Sequence, residues 1–389
     1  MTLHDTTEFS KKAGIVLSLG FGVIIVIVIF FKIGGFIHAL LFPPKISPPN
    51  EAYGKIPPLT FPQSSVKGQF TYTIETLNGQ LPQDFPDRLI IYPMIVSQPN
   101  LLNLDNARTK AATLRFVDQT GNPLPEIPRG GPDYEWDETS GFQRKIIYNI
   151  VNQNFTLTSN YLTALSVLNA QNLGDQTSAI STIQDFLGSI KSFPSDIDLT
   201  LTQNPNPDIA YTTTPQLYSI SSGQLLPTTS LSNAQVIRVD LYQKELDYTM
   251  TAGQDQELTR FQDFDMKLPI LYPHPPYSTM NFLIASGPTE ADVVSAHFTH
   301  QTIDTTPQPS DKQATYPIKN AQEAFDDLKN GKGYIASYTG TDSQILIDKV
   351  YLAYYLGETQ ENYLMPIIVF EGKNGFFGYV SAIKDEALQ

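Results

Sequence analysis

The chain has 389 residues, a 41% apolar fraction and a formal net charge of -14. That length and apolar content suit two or three folded domains rather than a disordered chain, and the acidity argues against nucleic acid, whose phosphates it repels. Cysteine is absent, which removes disulfides, thiolate metal sites and cysteine nucleophiles.

The first predicted element is the uncharged run 13–31, "AGIVLSLGFGVIIVIVIFF". As a helix rising ~1.5 Å per residue it reaches about 28 Å, close to a hydrocarbon core of about 30 Å. A cleaved signal peptide is the rival, but its apolar stretch is shorter and "KIGGFIHALLFPP" has no clear small-x-small site. The expectation is one transmembrane helix over 13–41 behind a cytoplasmic tail, 1–12. Lys11 and Lys12 before the uncharged run 13–31 nearly balance Lys32 and Lys45 after it, so the short tail decides the orientation and puts the bulk outside the cytoplasm.

Three Pro-Pro pairs in 42–62 favour extended polyproline geometry, read as a semi-rigid stalk over 42–67. From Gly68 the texture becomes alternating and β-like. "GQFTYTIETLNG" and "RLIIYPMIV" read as strands. "NLDNARTKAATLRF" reads as a helix with Asn103 as N-cap and Leu104, Ala107, Ala111 and Leu114 on one face. "FQRKIIYNIVNQNFTLTSNYL" reads as strands with a turn near Asn152–Asn154. A second cycle starts with the helical spacing of Ala179, Ile180, Ile183, Phe186, Leu187 and Ile190, closed by Pro194. Strands over 234–250, "STMNFLIASG" and "ADVVSAHFTHQTID" follow it.

The third cycle is the best punctuated. Asn320 with Glu323 has capping-box spacing, Ala321, Ala324, Phe325 and Leu328 form one stripe, and Gly331 suits the left-handed residue after a helix. "GYIASY", "QILIDKVYLAYYLG", "YLMPIIVFEG" and "GFFGYVSAI" read as four strands with short connections, favouring antiparallel pairing. The expected fold class is α+β: a single N-terminal transmembrane helix, then tandem modules of a helix packed on an antiparallel sheet, over 68–160, 161–265 and 266–389.

Residues 316–383, "YPIKNAQEAFDDLKNGKGYIAS…ILIDKVYLAYYLG…YLMPIIVFEG…GFFGYVSAI", resemble the extracytoplasmic modules of the YycH/YycI family and related PepSY-type domains. The shared grammar is a capped Ala-rich helix, a Gly break, a strand with an aromatic pair (Tyr354, Tyr355), a Pro-led apolar strand (Pro366 to Phe370) and a last strand ending in small residues. The resemblance implies a bacterial, membrane-tethered regulatory ectodomain, since that family restrains a membrane sensor kinase from outside the cell. The two earlier cycles and the stalk are departures from the family pattern.

Other motifs carry little chemistry. Gly331-Lys332-Gly333 with Ala336 fits G-x-G-x-x-A, but a helix precedes it where a dinucleotide site needs a strand. His297 and His300 lie three apart on a predicted strand, hence on opposite faces, and a metal needs more ligands. Ser64-Ser65-Val66-Lys67 spells S-x-x-K without the other hydrolase landmarks. "DYEWDE", 133–138, reads as an edge strand with solvated acids at Asp133, Glu135 and Asp137 and buried aromatics; the sharper readings are a sugar platform or calcium binding, though the Asp/Asn/Gly spacing of calcium loops is lacking.

The expected function is non-catalytic binding and regulation of a partner protein or envelope component. Its candidate surface is Asp133, Glu135, Trp136, Asp137, Tyr354 and Tyr355. No cofactor, metal or nucleic acid is expected, and homo-oligomerisation is left open. The alternatives are a structural subunit of an envelope assembly and a glycan hydrolase using the carboxylates of 133–138.

Overall fold

The computed structural model describes residues 48–138, 141–169, 173–199, 213, 215–250, 264–285, 293–307 and 313–389. Pro49–Tyr248 with Met266–Gln389 form one unit; the second, Met1–Pro48 with Thr249–Asp265, lies almost wholly outside the described residues.

The first unit is built on two large sheets. One has nine strands in the order Gln224–Pro227, Gln216–Ser221, Val236–Asp240, Met280–Ala285, Val293–Phe298, Phe155–Thr158, Lys145–Asn149, Asp133–Asp137 and Ile127–Gly130. Every neighbouring pair is antiparallel. Its third strand, Val236–Asp240, is buried on both faces, because helix Gln176–Ser189 covers one side and a cluster around Val167 and Val294 covers the other. Phe186 of that helix meets Phe155 and Phe282 at 6.0 and 5.9 Å. The helix begins where the Asp175 carboxylate accepts the Ser178 N–H at 2.8 Å, satisfying one orphan donor of the first turn.

The second sheet runs Thr71–Ile74, Gln344–Tyr355, Tyr363–Gly372, Phe376–Ser381 and Tyr334–Ser337. Helix Ala321–Lys329 lies against its last strands, with Phe325 5.9 Å from Phe370. The capping box is formed: Asn320 Oδ1 accepts the Glu323 N–H at 2.9 Å, and Glu323 Oε2 accepts the Asn320 N–H at 2.8 Å. Ala321, Ala324, Phe325 and Leu328 are the buried stripe, and Gly331 takes φ +75°. Gly333 has no room for a side chain, since a Cβ there would press on Leu328 and the Tyr379 carbonyl.

Three expectations are corrected. First, the protein is not a string of helix-on-sheet α+β modules; it is mostly β, with four α-helices among the described residues. The nine-stranded sheet draws strands from all three supposed modules, because antiparallel pairing joined segments far apart in sequence. Second, among the described residues no helix is long and apolar enough to cross a membrane. The single-pass membrane span at 13–41 and the tail 1–12 lie outside those residues, as does 42–47 of the stalk. Third, the described part of the stalk does not stand free. Ile56 bridges Leu388, Ser64 Oγ donates to the Ile335 carbonyl at 2.6 Å, and Phe61 stacks on Tyr334 at 5.3 Å and 10°. Leu59 and Phe61, both partly buried, thereby cover the face of the second sheet opposite the helix.

Candidate functional site

The site residues expected from sequence are dispersed and committed. Asp133–Asp137 is not an edge strand, because Ile127–Gly130 pairs outside it. Glu135 is 3% exposed and takes Arg129 at 2.6 Å and Lys145 at 3.3 Å. Asp137 is 3.7 Å from the same Lys145, and Asp133 accepts from Asn149 at 2.8 Å. Trp136 is buried in the core. Tyr354 and Tyr355 are fully buried in the other sheet, with the Tyr354 hydroxyl donating to the Ile90 carbonyl at 2.7 Å. Burial pushes the Tyr354 hydroxyl well above its ordinary range. The six residues therefore belong to two sheets and form no common exposed face.

The histidines are also separate. His297 lies within 3.3 Å of Thr156 and Thr299. His300 Nε2 contacts Asp196 at 2.9 Å, and Gln243 donates to the same carboxylate at 2.7 Å. Burial alone would raise the Asp196 carboxyl, but the hydrogen bonds and the electrostatic interaction with His300 outweigh it and hold the group below its ordinary value. Among the described residues no three or more His, Cys, Asp or Glu gather as metal ligands. Ser64 is spent on the Ile335 carbonyl, while Lys67 is exposed.

Two clefts stand open among the described residues. A polar one of about 370 Å³ lies between helix Asn103–Thr113 and the end of helix Gln176–Ser189. Lys110 Nζ donates into it to Tyr148 Oη (3.0 Å), Gln153 Oε1 (2.6 Å) and Ser192 Oγ (2.9 Å), all neutral acceptors. Burial lowers the ammonium to about 8. Its folded value thus lies below the ordinary 10.5, so between those limits the unfolded chain holds a proton that the folded chain has lost. Wild type should gain stability relative to Lys110→Met as pH rises from 8 to 10.5, measured by denaturant titration. A constant difference across that window would refute a depressed Lys110.

The larger cleft, about 620 Å³, sits beside strand Gln344–Tyr355. Along one side that strand pairs with Tyr363–Gly372 over most of its length. Its other side carries two short parallel neighbours, Thr71–Ile74 against residues 344–347 and Ile270–Leu271 against 354–355. No described strand runs along that side between Ile347 and Tyr354. The gap is about 20 Å for six residues at ~3.3 Å each, and the cleft lies along its first four, Asp348 to Tyr351.

A β-bulge sits at the near end of the gap. Ile347 opposes Gly372 and Lys349 opposes Glu371, so Asp348 is the extra residue. Before the bulge the Ile347 carbonyl accepts from Glu75 N on the cleft side (2.7 Å); beyond it the Tyr354 N–H donates to the Pro269 carbonyl on that side (2.8 Å). Because backbone groups alternate in direction, the residues addressing that side change from odd to even across Asp348. Val350 and Leu352 therefore turn their N–H and C=O groups to that side, Val350 at the cleft itself. Asp84, Glu245 and Asp348 line it together with Lys349, which reaches Glu371 at 3.4 Å. Burial raises the Glu371 carboxyl, against the opposing Lys349 charge.

No family model and no curated protein matches the chain. Among solved structures, an uncharacterized protein from Eubacterium rectale ATCC 33656 is similar at 9% identity and a TM-score of 0.36, covering 76% of this chain and 85% of that one.

Proposed function

We propose that the protein acts by binding rather than catalysis, recognising a partner protein or cell-envelope component in a bacterial envelope. The observation that carries this is the cleft beside Gln344–Tyr355, where no described strand pairs with the sheet edge between two short strands. Exposed sheet edges are a standing hazard that proteins blunt or cover, and a recessed one flanked by acids is suited to a partner. The committed state of the 133–138 acids favours this over glycan cleavage, since Glu135 and Asp137 share a lysine and Glu138 holds Arg144. The likeness of 316–383 to YycH/YycI modules supports a regulatory role.

The test is cross-linking in native cells with the full chain tagged at its carboxyl terminus, read by mass spectrometry. A recurrent partner should be captured by wild type and lost with Asp84→Lys and Glu245→Lys, both exposed positions. Identical capture profiles for wild type and the double variant would end the proposal for this cleft. Efficient self-cross-linking alone would favour a structural assembly.

A further inference from the structure

We propose that the open edge of Gln344–Tyr355 takes an extended, lysine- or arginine-bearing segment of a partner protein as an added β-strand. The proposal rests on the binding role above and adds the chemistry of the ligand.

Three features converge on it. The gap lies in line with Thr71–Ile74 and Ile270–Leu271, so a guest strand would complete an interrupted row rather than start a new one. The bulge at Asp348 turns the Val350 and Leu352 backbone groups into that row, and strand addition draws its affinity from such groups. Charge selects the guest: Asp84, Glu245 and Asp348 face the gap, while Lys349 is engaged by Glu371. In a chain of net charge -14 this focuses a negative potential on the slot, which steers cations in and disfavours a second copy of the chain.

The experiment uses the full chain and a fluorescein-labelled heptapeptide of alternating lysine and valine, followed by anisotropy. Three comparisons are made: the glutamate-valine counterpart, the same lysine peptide N-methylated on alternate amides, and protein variants. Both altered peptides should bind at least about tenfold more weakly, one for charge and one for lost backbone pairing. Glu245→Lys and Asp84→Lys should each weaken the lysine peptide several-fold. Asp185→Lys makes the same charge change on the exposed side of helix Gln176–Ser189 and should leave binding within about twofold.

No binding of the lysine peptide overturns the inference, as does equal binding of its N-methylated form. Equal weakening by Asp185→Lys also overturns it, because attraction to the whole acidic chain would then explain the result. The binding role itself falls only if the cross-linking profile ignores the cleft variants, so the two failures are told apart.

Discussion

Arg144→Met should lower the unfolding free energy by about 3–5 kcal/mol, the range for breaking one side of a buried ion pair. Arg144 is 5% exposed and grips Glu138 with Nε at 2.9 Å and Nη2 at 2.6 Å. Its Nη1 donates to the Leu114 carbonyl at 3.1 Å, just past the end of helix Asn103–Thr113, and its guanidinium lies 4.9 Å from the Phe116 ring centre. One side chain therefore neutralises a partly buried carboxylate, satisfies a carbonyl at a helix end and ties that helix to the nine-stranded sheet. Methionine keeps the stem but leaves the Leu114 carbonyl unmet and the carboxylate with only the backbone N–H of residue 144, at 3.3 Å. Arg144→Lys should recover only part of the loss, because an ammonium cannot bridge both carboxylate oxygens and the carbonyl in one plane. Urea unfolding of the three proteins decides it: a methionine variant within about 1 kcal/mol of wild type would show that the pair contributes little beyond its desolvation cost.

Gly372→Ala should cost about 2–4 kcal/mol, a size reserved for steric conflict at a site that cannot yield. Gly372 faces the bulge from the neighbouring strand, and an added Cβ would collide with the Leu346 carbonyl oxygen and crowd the Ile347 Cα. Both obstacles are backbone atoms held in ladders on two sides, so neither can swing away as a side chain would. The consequence reaches the cleft. If the strand slips to relieve the clash, the odd-to-even change at Asp348 moves, and Val350 and Leu352 no longer address the gap. Thermal unfolding should show the lost stability, and the lysine peptide should bind more weakly to whatever folded fraction remains. Unchanged stability would mean that the bulge is soft.

The bulge was legible in outline. In "QILIDKVYL" the buried apolar residues are Ile345 and Ile347, then Val350 and Leu352, so their parity changes across Asp348-Lys349. A regular strand does not change parity, and the break marks an inserted residue. What could not be read was that no described strand lies along one side of it there, because its neighbours come from residues 71–74 and 270–271. The first helix shows a smaller limit. Asn103 is within the helix and Leu102 is its N-cap, without a side-chain bond, since the choice of cap depended on how the preceding turn through Asn100 was held. The acids of 133–138 were read as solvated because alternation tells which residues share a face, not whether another strand and two cations close over it.

The sequence by itself determined what is local: the capped helix Ala321–Lys329 and its buried stripe, the helix over 176–189, the hairpin joining Lys145–Asn149 to Phe155–Thr158, and the C-terminal strands. These follow from side-chain period, cap chemistry and turn residues acting over a few positions. Only the tertiary structure decided which strands became neighbours, how 56–74 came to rest on the C-terminal sheet, and that Glu135, Tyr354 and Tyr355 are interior. Strand partners are chosen by the burial that the whole set of pairings achieves against the cost of closing long loops, and no local window contains that sum.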